Sequence, residues 1–131
     1  LREITEHRVD GDLPQNQLLV IAADERGAGG ANHRYVISGY SPGQNPAWRG
    51  GDPGITAIVF QNGGIKEAGL NGITHEVLLA IVADRLRGFQ DGPFSSLENG
   101  HALDCVEEAL DFLKIRTKGR IARGVEGEQK P

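Results

Sequence analysis

Apolar residues follow two different periods in this chain, and the change falls near residue 71. Before it, short β-rich segments stand between glycines and prolines. Residues 18–23 (LLVIAA), 33–40 (HRYVISGY) and 55–61 (ITAIVFQ) are runs of branched and aromatic side chains bounded by turn formers, the pattern of strands. Asn62-Gly63-Gly64 predicts a hairpin turn into a short return strand at Ile65-Lys66-Glu67, and residues 4–9 predict an edge strand. Three or more strands with one apolar face imply a small antiparallel sheet or sandwich.

From residue 71 onward the period becomes helical. Ile73, Val77, Ile81 and Arg85 form one ridge, with Leu78, Val82 and Leu86 on the adjoining face. Asn71 or Thr74 can cap the start and Gly88 is expected to stop the helix, which gives a span of 73–87. Ser95 and Glu98 form a capping box for a second helix. Its stripe is Ala102, Val106, Ala109, Leu110 and Leu113, and its end is expected near Thr117-Lys118-Gly119. The short connection predicts antiparallel packing. Two such helices cannot bury both stripes against each other, so an oligomer is expected. The reading is an α+β chain: a β-rich domain over 1–70, then a helical hairpin with a basic C-terminal tail over 71–131.

Composition narrows the partners. The chain has 131 residues, 19 of them glycine, with only 5% aromatics and a net charge of −4. That charge argues against DNA, which needs a broad basic face, but leaves room for a small phosphorylated ligand held by a few cations. The single Cys105 rules out an intrachain disulfide and a thiolate metal site; on a helix it is expected to be a buried small hydrophobe. No apolar run approaches the ~18 residues of a membrane helix, and no signal peptide is visible. A soluble cytoplasmic protein is expected. The chain begins at Leu1 and has no methionine, so the initiator is expected to have been removed, trimmed or replaced.

Catalytic patterns are poorly represented. His7, His33, His75 and His101 have no ligand spacing, and His75-Glu76 lacks the second histidine of a zinc-protease helix. No serine occupies a nucleophile elbow. Asp104, Glu107, Glu108 and Asp111 share a helix face whose spacing can resemble a metal face, but a solvated acidic face near the start of a helix is expected. The glycine-rich stretch RGAGGAN (26–32) lacks the Lys-Ser/Thr ending of a phosphate loop and reads as a flexible loop. The long loop SPGQNPAWRGGDPG (41–54) carries the only tryptophan; Trp48 either covers a site or packs under the loop. Lys114, Arg116, Lys118, Arg120 and Arg123 place five cations within ten residues. They read either as complements to a helix C-terminus or as an anion site.

The segment NGITHEVLLAIVADRLRGFQDGPFSSLENGHALDCVEEALDFLKIRTKGRIARGVEG (71–127) resembles the helical hairpin of two phage families. These are the first type of Thoeris anti-defence proteins and the anti-CBASS cyclic-nucleotide sponges. NHRYVISGY (32–40) and IVFQNGGIKEAGLNG (58–72) resemble the β portion of the Thoeris family. The resemblance covers nearly the whole chain, and its most specific residues are DRLRGFQ…GPF…EN with RT…R…RGVEG. It implies a non-enzymatic sponge without a cofactor, acting in the cytoplasm of the infected host. Such a sponge binds the cyclic ADP-ribose isomers made by TIR proteins and keeps them from their effector. It also implies dimers and hexamers with pockets at protomer interfaces, and in some members a separate site for CBASS cyclic di- or trinucleotides.

Residue by residue, the resemblance implies that Phe89 stacks on the ligand base, Asn99 offers its amide to the base edge, and Arg116 contacts phosphate. Lys66 and Arg34 are further candidate cations, although Arg34 can equally pair with a carboxylate. Leu97 stands where relatives often carry arginine, and Gly64 where proline is common.

Overall fold

The computed structural model describes residues 1–51 and 53–131; Asp52, in the long Trp48 loop, lies outside the described residues. The chain divides into two compact units, Leu1–Asn62 and Gly63–Pro131.

The first unit is a four-stranded antiparallel meander. Strands β1 (Arg2–Ile4), β2 (Leu19–Ala22), β3 (Arg34–Ser38) and β4 (Thr56–Val59) pair in sequence order. Ile21 stands opposite Glu3 on one side and Val36 on the other, and Val36 stands opposite Ala57. The edge strand lies earlier than the expected 4–9: it spans Arg2–Ile4, shares only Ile4 with that range, and residues 5–9 are not strand. After Ile4 the chain turns, with the Arg8 N–H donating to the Thr5 carbonyl. Asn16 then fastens the long β1–β2 connection: its amide accepts from the Val9 N–H and donates to the Val9 and Gly11 carbonyls.

Asp24 organises the β2–β3 connection. Its carboxylate accepts the backbone N–H groups of Arg34 and His33, at 3.0–3.1 Å, and the Arg34 N–H is the main cause that holds its carboxyl below the ordinary aspartate range. Asn32, buried, donates to the Asp24 carbonyl at 2.6 Å and accepts from Arg2 at 2.7 Å. Thus RGAGGAN is a loop closed by an aspartate at its base. Tyr35 and Phe60 meet edge to face at 5.7 Å in the same unit.

The second unit holds α1 (Ile65–Ala68), α2 (His75–Gln90) and α3 (Leu97–Ala122). The return strand expected at residues 65–67 is instead the short helix α1. The Lys66 N–H, which a strand would give to its neighbour, donates to the Gly127 carbonyl at 2.7 Å, and Gly69, at φ +76°, ends the turn. Thr74 caps α2 by accepting from the Val77 N–H. Gly88 does not end this helix, because α3 packs alongside it and offsets the glycine's ~1 kcal/mol propensity cost. Phe89 is therefore a helical residue, not part of the connection.

The second helix starts one residue later than the capping box suggests: Ser96 is the N-cap, its hydroxyl accepting from the Asn99 N–H at 3.0 Å. It also runs past Gly119 to Ala122. The buried and half-buried stripe of α3 is Leu103, Val106, Ala109, Leu110, Leu113, Thr117 and Arg120, a spacing of three and four residues. Ala102, expected on that stripe, is exposed, and so is Cys105. Both lie off the line that Leu103 sets. On α2 the facing stripe is Leu79, Ala83, Leu86 and Gln90, with Ala83 fully buried. α2 and α3 pack on each other; Val77, Ile81, Phe112, Ile115 and Ile121 stay exposed on the isolated chain.

Candidate functional site

The C-terminal half of α2 and the first turn of α3 border an open cavity of about 440 Å³, lined by Val82, Arg85, Leu86, Phe89, Phe94 and Asn99. Helical spacing explains the α2 wall: residues 82, 85, 86 and 89 recur every three or four positions and share one face. Phe94 comes from the connection and Asn99 from the first turn of α3. Phe89 is 42% exposed and Phe94 74% exposed, so the cavity presents ring surface to solvent.

The connection is held by one side chain. Gln90 donates from Nε2 to the Ser96 carbonyl, and its Oε1 accepts the Ser96 N–H, both at 3.0 Å. A primary amide carries a donor and an acceptor on adjacent atoms, which lets one side chain engage both the N–H and the carbonyl of Ser96. Gly100 leaves room for it: a Cβ there would stand 3.2 Å from Gln90 Nε2. Across the cavity mouth, the Asn99 amide donates to the Phe94 carbonyl at 3.4 Å. The clamp fixes the α2–α3 bend, and with it the spacing of Phe89, Phe94 and Asn99.

One cation belongs to the cavity. The Arg85 guanidinium lies over the Phe89 ring, 5.7 Å from its centroid. A cation over a ring at an exposed site contributes about 0.5–1 kcal/mol, less than the roughly 1–3 kcal/mol of a stacked nucleobase. Arg85 was placed on a helical ridge by its spacing, and the signal that marks it out is its position one turn before Phe89.

Of the five residues singled out in the sequence, the cavity brings together Phe89 and Asn99. Arg116 is exposed on α3, seventeen residues beyond Asn99, or about 25 Å along the axis at 1.5 Å per residue. It does not line the cavity of its own chain. Lys66 on α1 is 3.7 Å from Glu128 and so faces a carboxylate. Arg34 lies in the first unit, exposed on β3 opposite Val59.

The basic tail divides by role. Arg120, only 8% exposed, pairs with Glu126 at 3.2 Å and donates to the carbonyls of Val125, Glu128 and Lys130. Arg123 donates to the Pro131 carbonyl. These two cations hold the chain's own C-terminal segment. Trp48, in the first unit, is half-buried with its indole N–H enclosed. Among the described residues, no group of three His, Cys, Asp or Glu side chains is placed to hold a metal ion, and no helix is long and apolar enough to cross a membrane.

The cavity therefore offers an aromatic face, an amide and a guanidinium, a set suited to a base that carries phosphate. No family model matches the chain. Over 73 residues it is 44% identical to Thoeris anti-defense 1 of Bacillus phage SBSphiJ7, a stretch that makes up 56% of this chain. The chain is a homologue of that phage protein. The matched stretch spans about half of the relative's length, 51%.

Proposed function

We propose that this chain is a phage anti-defence protein that binds cyclic ADP-ribose-type signals and withholds them from their Thoeris effector without degrading them. The observation that carries the reading is the cavity of Phe89, Asn99 and Arg85, in a homologue of a Thoeris anti-defence protein. The Phe89 ring is the stacking platform for the adenine base. The Asn99 amide has both a donor and an acceptor for the base edge. Sequestration acts by mass action, one molecule per site, and nanomolar affinity corresponds to about −12 kcal/mol. Such affinity calls for more charge-assisted bonds than a single guanidinium makes.

A second copy of the chain supplies them in this reading. Arg116 lies about 25 Å from Asn99 along its own helix, out of reach of its own cavity, yet it has no ion pair among the described residues. In a dimer or hexamer, Arg116 of a neighbour completes the phosphate side of the pocket. The exposed Ile81, Phe112, Ile115 and Ile121 supply apolar surface for that association. Lys66 and Arg34 are secondary contacts in the same assembly, and the site of action is the cytoplasm of the infected host.

Incubation with cyclic ADP-ribose isomers, removal of free ligand, heat denaturation and analysis of the released nucleotide test the reading. Intact signal recovered in proportion to protein supports sequestration. Linear product shows a hydrolase instead. Retention of cyclic di- or trinucleotides alone shows a sponge directed at CBASS signals.

A further inference from the structure

The sequence around Arg85 denies it an ion pair on its own helix. Positions 81, 82, 88 and 89, three and four residues away, are Ile, Val, Gly and Phe, so no carboxylate stands where helical neighbours meet. Two residues on, Arg87 faces Glu107 of α3 at 3.9 Å. Arg85 has no carboxylate partner among the described residues, and its guanidinium rests on the ring of Phe89 instead. Charge in contact with an aromatic face, at the wall of an open cavity, is placed where a ligand can take either partner from the other.

We propose that Arg85 is a ligand-contact residue with two positions. In the free protein it covers the Phe89 face. When a purine nucleotide binds, the base takes that face and the displaced guanidinium closes on the phosphate of the same molecule. The inference rests on the proposed function for its ligand class, a base and a phosphate in one molecule. It adds a cation from the same protomer as the stacking ring, independent of any neighbour. Stacking on the ring exceeds the cation contact it replaces, and the freed guanidinium gains a charge-assisted, bidentate partner. The exchange is therefore downhill for a nucleoside and further downhill for a nucleotide.

Titrations with ADP and with adenosine at low salt, on the wild type, Arg85→Gln and Arg85→Lys, test this. The wild type is expected to prefer ADP by about tenfold, as befits one charge-assisted fork. Arg85→Gln should lower that ratio about fivefold or more while adenosine binds as well as before or about twofold better, because the ring is uncovered. Arg85→Lys should fall between, keeping the charge and losing the fork. An unchanged ratio in Arg85→Gln overturns the inference, as does loss of adenosine binding in that variant or failure of the wild type to bind either probe. Retention of cyclic ADP-ribose is read separately. Retention with an unchanged ADP-to-adenosine ratio keeps the sponge and removes Arg85; a collapsed ratio without retention does the reverse.

Discussion

Where α2 meets α3, Arg85 lies on an exposed ring and Phe89, Phe94 and Asn99 border open space; at the far end of α3, Arg120 is buried and all but one of its N–H donors are engaged by the chain itself. The two ends use the same residue type for opposite purposes. A guanidinium that satisfies four acceptors of its own chain is a structural bolt, with little left to offer a ligand. One that has only a ring to rest on has its donors available. Clustering of cations in sequence does not separate these cases, since Arg120 belongs to the densest run and Arg85 stands outside it.

Arg120→Ala should break the comparison most severely. It strands Glu126 and the carbonyls of Val125, Glu128 and Lys130, and removal of one partner from a buried, hydrogen-bonded charge costs about 3 kcal/mol. Urea unfolding should show that loss, and limited proteolysis should cut the segment after Ala122 sooner. Wild-type stability would mean that the bolt is ornamental and that Arg120 is free to serve a ligand.

Phe89→Ala should do the opposite. With Phe89 42% exposed, its removal should cost only about 1–2 kcal/mol of stability. Affinity for the nucleotide should fall by roughly 1–3 kcal/mol, the stacking contribution. Calorimetry and thermal melting on the same preparation separate the two. A variant that melts early but binds normally would make Phe89 a packing residue of the hairpin and not a ligand contact.

The sheet-then-hairpin order was legible in the sequence because strands and helices bury stripes of different period, and that period survives without knowledge of the partners. Thr74, which caps α2, was one of two caps the sequence offered, with Asn71, because capping is local chemistry. What failed was decided by distant residues. Residues 65–67 form a helix because Gly127 takes the Lys66 N–H, from sixty residues away. Gly88 does not stop α2 because α3 supports it. Arg120 and Arg116 look alike in sequence, and only the folded tail separates them. Phe89 and Asn99, singled out through the family resemblance, line one cavity; Arg85 lines it too but was not singled out, because an arginine at helical spacing is ordinary.

Acid should weaken the bolted end selectively. Glu128 is held below the ordinary glutamate range, first by the hydrogen bond from Lys130 and then by its charge, with Lys66 a lesser cause. A depressed folded value means that the stabilisation is complete above the usual glutamate pKa of 4.5 and is lost as the pH falls through the lower folded value. Amide exchange at Lys66 should therefore quicken in that window while exchange in the middle of α2 stays slow. Lys130→Ala should blunt the effect more than Lys66→Ala. Equal loss of protection in both segments would show that the tail and the hairpin melt as one.

The smallest effect is expected at the open end, from Gly100→Ala. Alanine in a helix interior gains about 0.8–1.0 kcal/mol over glycine. Here its Cβ would stand 3.2 Å from Gln90 Nε2, so the amide must shift by a few tenths of an ångström and its two bonds to Ser96 must stretch. The opposing terms are of similar size, since each of those bonds contributes about 1 kcal/mol, and net stability should change little. Ligand affinity has no such compensation. Gln90 fixes the bend that spaces Phe89 from Asn99, and a displaced clamp should weaken nucleotide binding about two- to fivefold through misplacement alone. A full gain in stability with unchanged binding would mean that the amide yields freely, so that the bend, unlike the bolted tail, does not depend on one side chain.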